Sequence, residues 1–147
     1  MLVQVQLRVF KKHMLYPQIT LNVIDNSGVR KVRCIHIKNN NYFSSGTLGS
    51  LFVGVVFSLK SQKTKAHKFK RGQIVVGLFV SSTKEISINK YDTGFYIKYF
   101  NNNCMLLDSK SFKKNQTFLG SRSQGAISFF IKQRGFYKAY SLFDYYF

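Results

Sequence analysis

The stretch Thr20-Leu21-Asn22-Val23-Ile24-Asp25-Asn26-Ser27-Gly28-Val29-Arg30-Lys31-Val32-Arg33-Cys34-Ile35 alternates, stops and alternates again. From Gln18 to Asp25, Ile19, Leu21 and Val23 fall on one side and Thr20 and Asn22 on the other. That period of two is the mark of a half-buried strand. Asn26-Ser27-Gly28 is a turn signal: glycine accepts φ > 0, and the Asp25 side chain can bond the backbone two residues on. Val29 to Lys38 resumes the alternation, with Val32, Cys34 and His36 opposite Arg33, Ile35 and Ile37. Two alternating runs about a tight turn predict an antiparallel hairpin, with Arg30, Lys31 and Arg33 projecting from its second strand.

Outward from this hairpin the chain continues as short strands. Leu51 to Leu59 and Ile74 to Val80 are apolar runs rich in β-branched and aromatic residues. Ile86 to Ile97 reads as a hairpin around Asp92-Thr93-Gly94, and Asn101-Asn102-Asn103 as a turn before the strand Cys104 to Leu107. Strands this short, separated by turns, predict a small barrel, because closure removes exposed edges. From Ser121 the pattern changes. Ala126, Phe129, Phe130 and Gln133 recur at helical spacing, Gly135 is a stop, and Phe136 to Phe143 fits a second short helix. The class is therefore all-β with a small helical C-terminal part. One domain is expected over residues 14–147, with 1–13 as an extension.

The charge is the outlying property. The 147 residues carry 23 Lys and Arg against five acids, a formal net charge of +18, and a pI of about 10.1. A compact fold with such a field repels itself, and a polyanion relieves that repulsion while releasing counterions. No apolar run reaches the ~18 residues of a membrane span, and no basic amphipathic helix or lipid anchor is present, so a membrane partner is not expected. Phe and Tyr are abundant, at 15 and 9, and Pro occurs once. This usage follows A/T-rich codons and indicates an A/T-biased genome. Cys34 and Cys104 lie in apolar strand-like runs and are expected as buried, reduced thiols.

Nothing in the sequence assembles an active site. His13, His36 and His67 lack ligand spacing, and His36 is expected as a core or edge residue of its strand. No two of Asp25, Glu85, Asp92, Asp108 and Asp144 are close in sequence. Ser44-Ser45-Gly46-Thr47-Leu48-Gly49-Ser50 lacks the lysine of a phosphate-binding loop and reads as a turn. The expectation is a protein that is not an enzyme and holds no metal or cofactor.

RNA binding is favoured instead. Cations concentrate in loops and hairpins, where they can approach phosphates. Lys60, Lys63, Lys65, Lys68, Lys70 and Arg71 form an acid-free stretch between two strands. With Arg30, Lys31 and Arg33, and with Lys84, Lys98, Lys113, Lys114, Arg122, Arg134 and Lys138, they make up the candidate RNA-binding set. Asn26 and Ser27 are candidates for a direct contact at the turn, a purely structural turn being the competing reading. Aromatics interleave with cations at Lys68-Phe69-Lys70 and Tyr96-Ile97-Lys98-Tyr99-Phe100, where bases could stack; core strand residues are the reading the alternation favours.

The opening stretch resembles the signature of large-subunit ribosomal protein fourteen, L-N-V-A-D-N-S-G-A-R-x-V-x-C-I. Further segments resemble that family in order. Lys68-Phe69-Lys70-Arg71-Gly72-Gln73 is similar to K-V-K-K-G-D, and Ser82-Thr83-Lys84-Glu85 to R-T-K-K. Asn103-Cys104-Met105-Leu106-Leu107 is similar to N-A-C-V-L-L, and Gly135-Phe136-Tyr137-Lys138-Ala139-Tyr140-Ser141-Leu142 to K-F-M-K-I-I-S-L. The resemblance covers about Met14 to Phe143. It implies a closed five-stranded β-barrel with a protruding β-hairpin and one or two short C-terminal helices, seated on large-subunit rRNA at the subunit interface. It also implies contacts with large-subunit proteins three and nineteen, an intersubunit bridge to small-subunit rRNA, and docking of a ribosome silencing factor.

The chain departs from the pattern at several places. The acids of V-G-D and K-G-D stand here as Ser50 and Gln73. G-T-R-I-F-G is loosened to Asn115-Gln116-Thr117-Phe118-Leu119-Gly120, and the terminal P-E-V-L is replaced by Asp144-Tyr145-Tyr146-Phe147. These changes bear on the bridge and silencing-factor contacts and leave the barrel untouched. Divergence with A/T bias points to an organelle, a mitochondrion before a plastid, with an A/T-rich bacterial cytoplasm as a further alternative. The competing function is a free-standing barrel for single-stranded RNA, such as a chaperone or translation factor.

Overall fold

The computed structural model describes residues 14–38, 45–61, 68–87, 96–108 and 117–146. The opening hairpin is strand β1 (Thr20–Val23) paired antiparallel with β2 (Val29–Ile37), in the register Thr20↔Arg33, Leu21↔Val32 and Asn22↔Lys31. Strands β3 (Leu51–Leu59) and β4 (Ile74–Ser81) continue the antiparallel meander. Two-residue strands β5 (Ile86–Ser87) and β6 (Tyr96–Ile97) form the root of a separate hairpin, in the register Ile86↔Ile97 and Ser87↔Tyr96. Its expected tip, Asp92-Thr93-Gly94, lies outside the described residues. Strand β7 (Asn103–Leu107) pairs antiparallel with β4 and parallel with β1, at Asn22↔Asn103 and Val23↔Cys104. That parallel pair closes a five-stranded barrel in the order β1-β2-β3-β4-β7.

The barrel interior follows from the alternation. Leu21, Val32, Cys34, Phe52 and Leu106 have no exposed surface, and Leu78 and Met105, on the opposite face, are buried as well. Phe52 fills the centre, and space for its ring is left by glycines. A Cβ on Gly77, its register partner, would stand 2.5 Å from Phe52 Cζ. On β2 the simple alternation fails at Ile35. The β2–β3 register shifts between Cys34 and His36, where an extra residue forms a bulge. The bulge reverses the facing of everything beyond it, so Ile37 is buried and His36 and Ile35 are exposed. His36 is therefore on the outer surface, not the core face that uninterrupted alternation assigns it.

The C-terminal part also differs from the periodicity. Ala126 belongs to β8 (Ser123–Ile127), not to a helix, because β8 pairs in parallel with β9 (Phe143–Tyr146). Between them lie α1 (Phe129–Gln133) and α2 (Tyr137–Ser141). Ser128 caps α1, its hydroxyl accepting from the Phe130 N–H at 3.4 Å. Gly135, at φ +89°, ends it as expected. The Phe136 N–H bonds Ile131 O and the Gly135 N–H bonds Lys132 O, the paired closure of a left-handed helix end. Phe143, expected at the end of a second helix, starts a strand instead.

Both thiols are buried and free. Burial pushes Cys34 up to about 11 and Cys104 well above the usual range, the latter helped by the nearby charge of Asp25. An unfolded thiol ionises near ~8.5, so the folded state favours the protonated form. That contribution is complete below the unfolded value and is lost as pH rises toward 11. We expect iodoacetamide at pH ~8.5 to leave both thiols unmodified in the native protein and to alkylate both in guanidinium chloride. The unfolding midpoint should fall as pH is raised above ~8.5. Rapid native alkylation would contradict the buried arrangement.

Candidate nucleic-acid interface

The turn at Asp25 to Gly28 organises one end of the barrel. Asp25 is buried, and its carboxylate accepts the Ser27 N–H at 3.0 Å through Oδ1 and the Leu106 N–H at 2.9 Å through Oδ2. The first bond is the side-chain turn closure that the sequence suggests; the second ties the turn to β7. Gly28, at φ +91°, completes the reversal. Gly120 packs so closely that a Cβ there would lie 2.6 Å from Asp25 Cβ.

Asn26 clasps the C-terminal part. Its Oδ1 accepts the Ser121 N–H at 2.8 Å, and its Nδ2 donates to Ser121 Oγ at 2.9 Å. The Ser27 hydroxyl is buried without a hydrogen-bond partner. The structure thus uses both residues as parts of the turn, and the polar atoms of the Asn26 side chain are engaged internally.

The cations divide by position. Lys60 lies at the end of β3, where its N–H bonds Gly28 O and its Nζ donates to Asp25 O at 2.6 Å. One of its three ammonium donors is used in this way. Arg30 and Lys31 begin β2 on the same side of the barrel, because Val29 faces Leu59 and Lys31 faces Ser58. Exposed Lys68, Lys70 and Arg71 lead into β4 there, and the Gly72 N–H bonds Val56 O. Exposed Arg122 follows the Asn26 clasp. The barrel end that collects the ends of β1, β3 and β7 and the starts of β2 and β4 is therefore strongly cationic. The acids described there are Asp25, buried, and Asp108, half-buried.

Arg33 stands further along β2 with its guanidinium 4.8 Å from the Phe57 ring centroid. At the opposite end of the barrel, Lys84 lies over Tyr16 at 5.0 Å, and Lys98 is exposed beyond β6. Arg134 is exposed, and its Nη2 donates to Thr47 Oγ1 at 2.6 Å, which ties the end of α1 to the loop before β3. Lys138 is exposed on α2. Lys63, Lys65, Lys113 and Lys114 lie outside the described residues.

Two departures from the ribosomal signature acquire a physical meaning. Gln73 Oε1 accepts the Lys70 N–H at 3.1 Å, and Ser50 Oγ accepts the Thr47 N–H at 3.0 Å. Each closes its turn with a neutral acceptor where the family pattern has an acid, so the turn survives without the negative charge. Of the interleaved aromatics, Phe69 is buried, whereas Tyr96 is 45% and Phe100 fully exposed. Core burial therefore holds for Phe69 and in part for Tyr99, which packs against the core, and fails for Tyr96 and Phe100. No alternation rule exposes Phe100, because it sits in a bend.

The chain matches the family described as Ribosomal protein L14p/L23e over residues 14–146. It belongs to that family. It is also similar to a protein of Jasminum nudiflorum named large ribosomal subunit protein uL14c. The two are 33% identical over 129 residues, which cover 88% of this chain and 96% of that protein.

The Asp25 bonds make a direct prediction for this L14-family chain. Asp25→Ala leaves two backbone N–H groups without their acceptor, one of them the buried Leu106 N–H, and should cost about 2–5 kcal/mol. Asp25→Asn should fall between the two, since a carboxamide offers one oxygen where the carboxylate offers two. Urea unfolding at constant m-value would measure both; an unchanged midpoint for Asp25→Ala would remove Asp25 from its structural role.

Proposed function

We propose that this chain is a structural protein of the large ribosomal subunit that binds rRNA through the cationic barrel end. The observation that carries the reading is the gathering of Arg30, Lys31, Lys60, Lys70, Arg71 and Arg122 at the barrel end that holds the Asp25 turn. Phosphates would be neutralised by cations whose backbone positions are set by strand register and by the Asp25 bonds. The role is architectural: affinity comes from charge and counterion release, and geometry comes from the barrel. Membership of the L14 family and likeness to a large-subunit protein support it. Lys63, Lys65, Lys113 and Lys114 join the proposed set by charge and sequence position, and Arg33, Lys84, Lys98 and Lys138 as outward cations beyond the central cluster. Arg134 is weighted toward the fold by its bond to Thr47, and Asn26 and Ser27 act through the turn.

The proposed assembly includes large-subunit proteins three and nineteen, the bridge to small-subunit rRNA and a silencing factor. We place it in an organelle ribosome, with residues 1–13 as an extension ahead of the family domain. Composition and divergence support a mitochondrion, while the match to uL14c supports the plastid alternative. Sedimentation of separated organelle extracts tests both levels. The chain should travel with one organelle's large subunit; its absence from every large subunit would leave the free-standing RNA-binding barrel.

The interface has its own test. Against a fragment of large-subunit rRNA, replacing Arg30, Lys70 and Arg71 together by Ala should reduce the slope of log affinity on log salt by roughly 0.7–0.9 per lost phosphate contact. An unchanged slope would exclude this end of the barrel.

A further inference from the structure

Along the flank of the barrel, from the segment Tyr96 to Asn103 to Ile24 beside the Asp25 turn, a groove of about 1010 Å³ runs against the segment Gln124 to Gln133. It lies at the top of the usual small-ligand range of roughly 300–1,000 Å³, so it has room for a planar group and its connections. Its lining includes Phe100, which is fully exposed, with Tyr96 and Phe129 each at 45%. Exposed aromatic surface of this extent marks a place of contact. The groove also presents the carboxamides of Asn101, Gln124 and Gln133 and the ammonium of Lys98, and no acid among the described residues.

The aromatic platform is held stiffly. The Tyr99 N–H bonds Ser82 O at 3.1 Å, and the Ser81 hydroxyl donates to Asn101 O at 3.2 Å. Asn102 Oδ1 accepts the Thr83 N–H at 3.0 Å, and Asn102 O accepts the Asn22 N–H from β1. Phe100 therefore projects from a bend tied to β1 and to the end of β4. A backbone fixed before binding has less freedom to lose when a partner stacks on the ring it carries. The Tyr99 hydroxyl, beside Ser128, is buried yet forms no hydrogen bond of ordinary geometry.

We propose that this groove receives an unpaired, extruded nucleotide of RNA. Aromatic faces supply stacking, carboxamides read a base edge, and Lys98 meets the adjoining phosphate. An apolar peptide would leave the amides and Lys98 without partners, and an acidic peptide would not use the flat rings. The inference rests on the RNA-binding reading above and adds a second contact on the flank of the barrel, one that discriminates unpaired from paired RNA.

The test uses the full-length protein and two RNA duplexes that differ by one bulged 2-aminopurine nucleotide. The expected result is tighter binding of the bulged duplex, with a change in 2-aminopurine fluorescence as the base stacks. Phe100→Ala should remove that preference, weakening bulged binding about 5- to 140-fold, the worth of one stacked base, while binding of the plain duplex is unchanged. Phe100→Trp should restore it. Because Phe100 is fully exposed, neither change should alter the unfolding midpoint. Equal affinity of the wild-type protein for both RNAs, with plain-duplex binding intact, would overturn the groove as a nucleotide site and leave the cationic interface standing. The groove would then be a face for a neighbouring protein. Loss of salt-dependent binding to both RNAs would overturn the RNA-binding reading and this inference with it.

Discussion

The carboxylate of Asp25 joins three parts of the molecule that are distant in sequence. It closes its own turn at Ser27, accepts from Leu106 in β7, and lies beside Ser123, with which its backbone forms a β-bridge. The neighbouring Ile24 repeats the connection: its N–H bonds Cys104 O, and its own carbonyl accepts the Gln124 N–H. The ladder of the barrel thus continues past the end of β1 into the C-terminal unit. A buried carboxylate is costly to desolvate, and two backbone donors offset that cost here. The arrangement explains why a short acidic side chain stands in a chain otherwise almost without acids. A neutral side chain with one oxygen would hold the turn and the closing strand together less well, because each carboxylate oxygen takes its own donor.

From this joint the cationic surface follows. Strand register sets Arg30 and Lys31 beside the end of β3, and the Lys60 ammonium is anchored on the Asp25 carbonyl. The exchange of acids for neutral acceptors at Ser50 and Gln73 acts in the same direction. A turn needs an acceptor, and a carboxylate supplies one together with a charge that phosphate repels. Gln73 and Ser50 keep the hydrogen bond and omit the charge. The surface can therefore shed negative charge at these turns without disturbing the backbone.

Much of this was legible in the linear chain. The alternation about Asp25-Asn26-Ser27-Gly28 is local, and local rules specify both the hairpin and the Asx bond within it. The closed barrel was foreseen from the succession of short strands, and the five-strand count from family resemblance. What alternation misassigned is non-local. The bulge at Ile35 answers to β3, so His36 and Ile37 exchange faces for a reason outside their own strand. Ala126 looks helical by spacing, but the pairing of β8 with β9 decides its state. The clasp of Asn26 on Ser121 spans 95 residues, and nothing in either segment announces it. The exposure of Phe100 is likewise set by a bend whose bonds come from β1 and β4.

The parallel seam between β1 and β7 has a consequence for the birth of the protein. Asn22 must wait for Asn103, 81 positions later, before the barrel can shut. At ordinary synthesis rates of about 5–20 residues per second that interval is on the order of 4–16 s. During it the nascent chain carries an open sheet edge, apolar on one side and cationic on the other. Open edges invite pairing with other chains, while the like charges drive copies apart. The surplus of lysine and arginine that suits a finished particle thus also serves as a temporary guard against self-association, until the last barrel strand arrives.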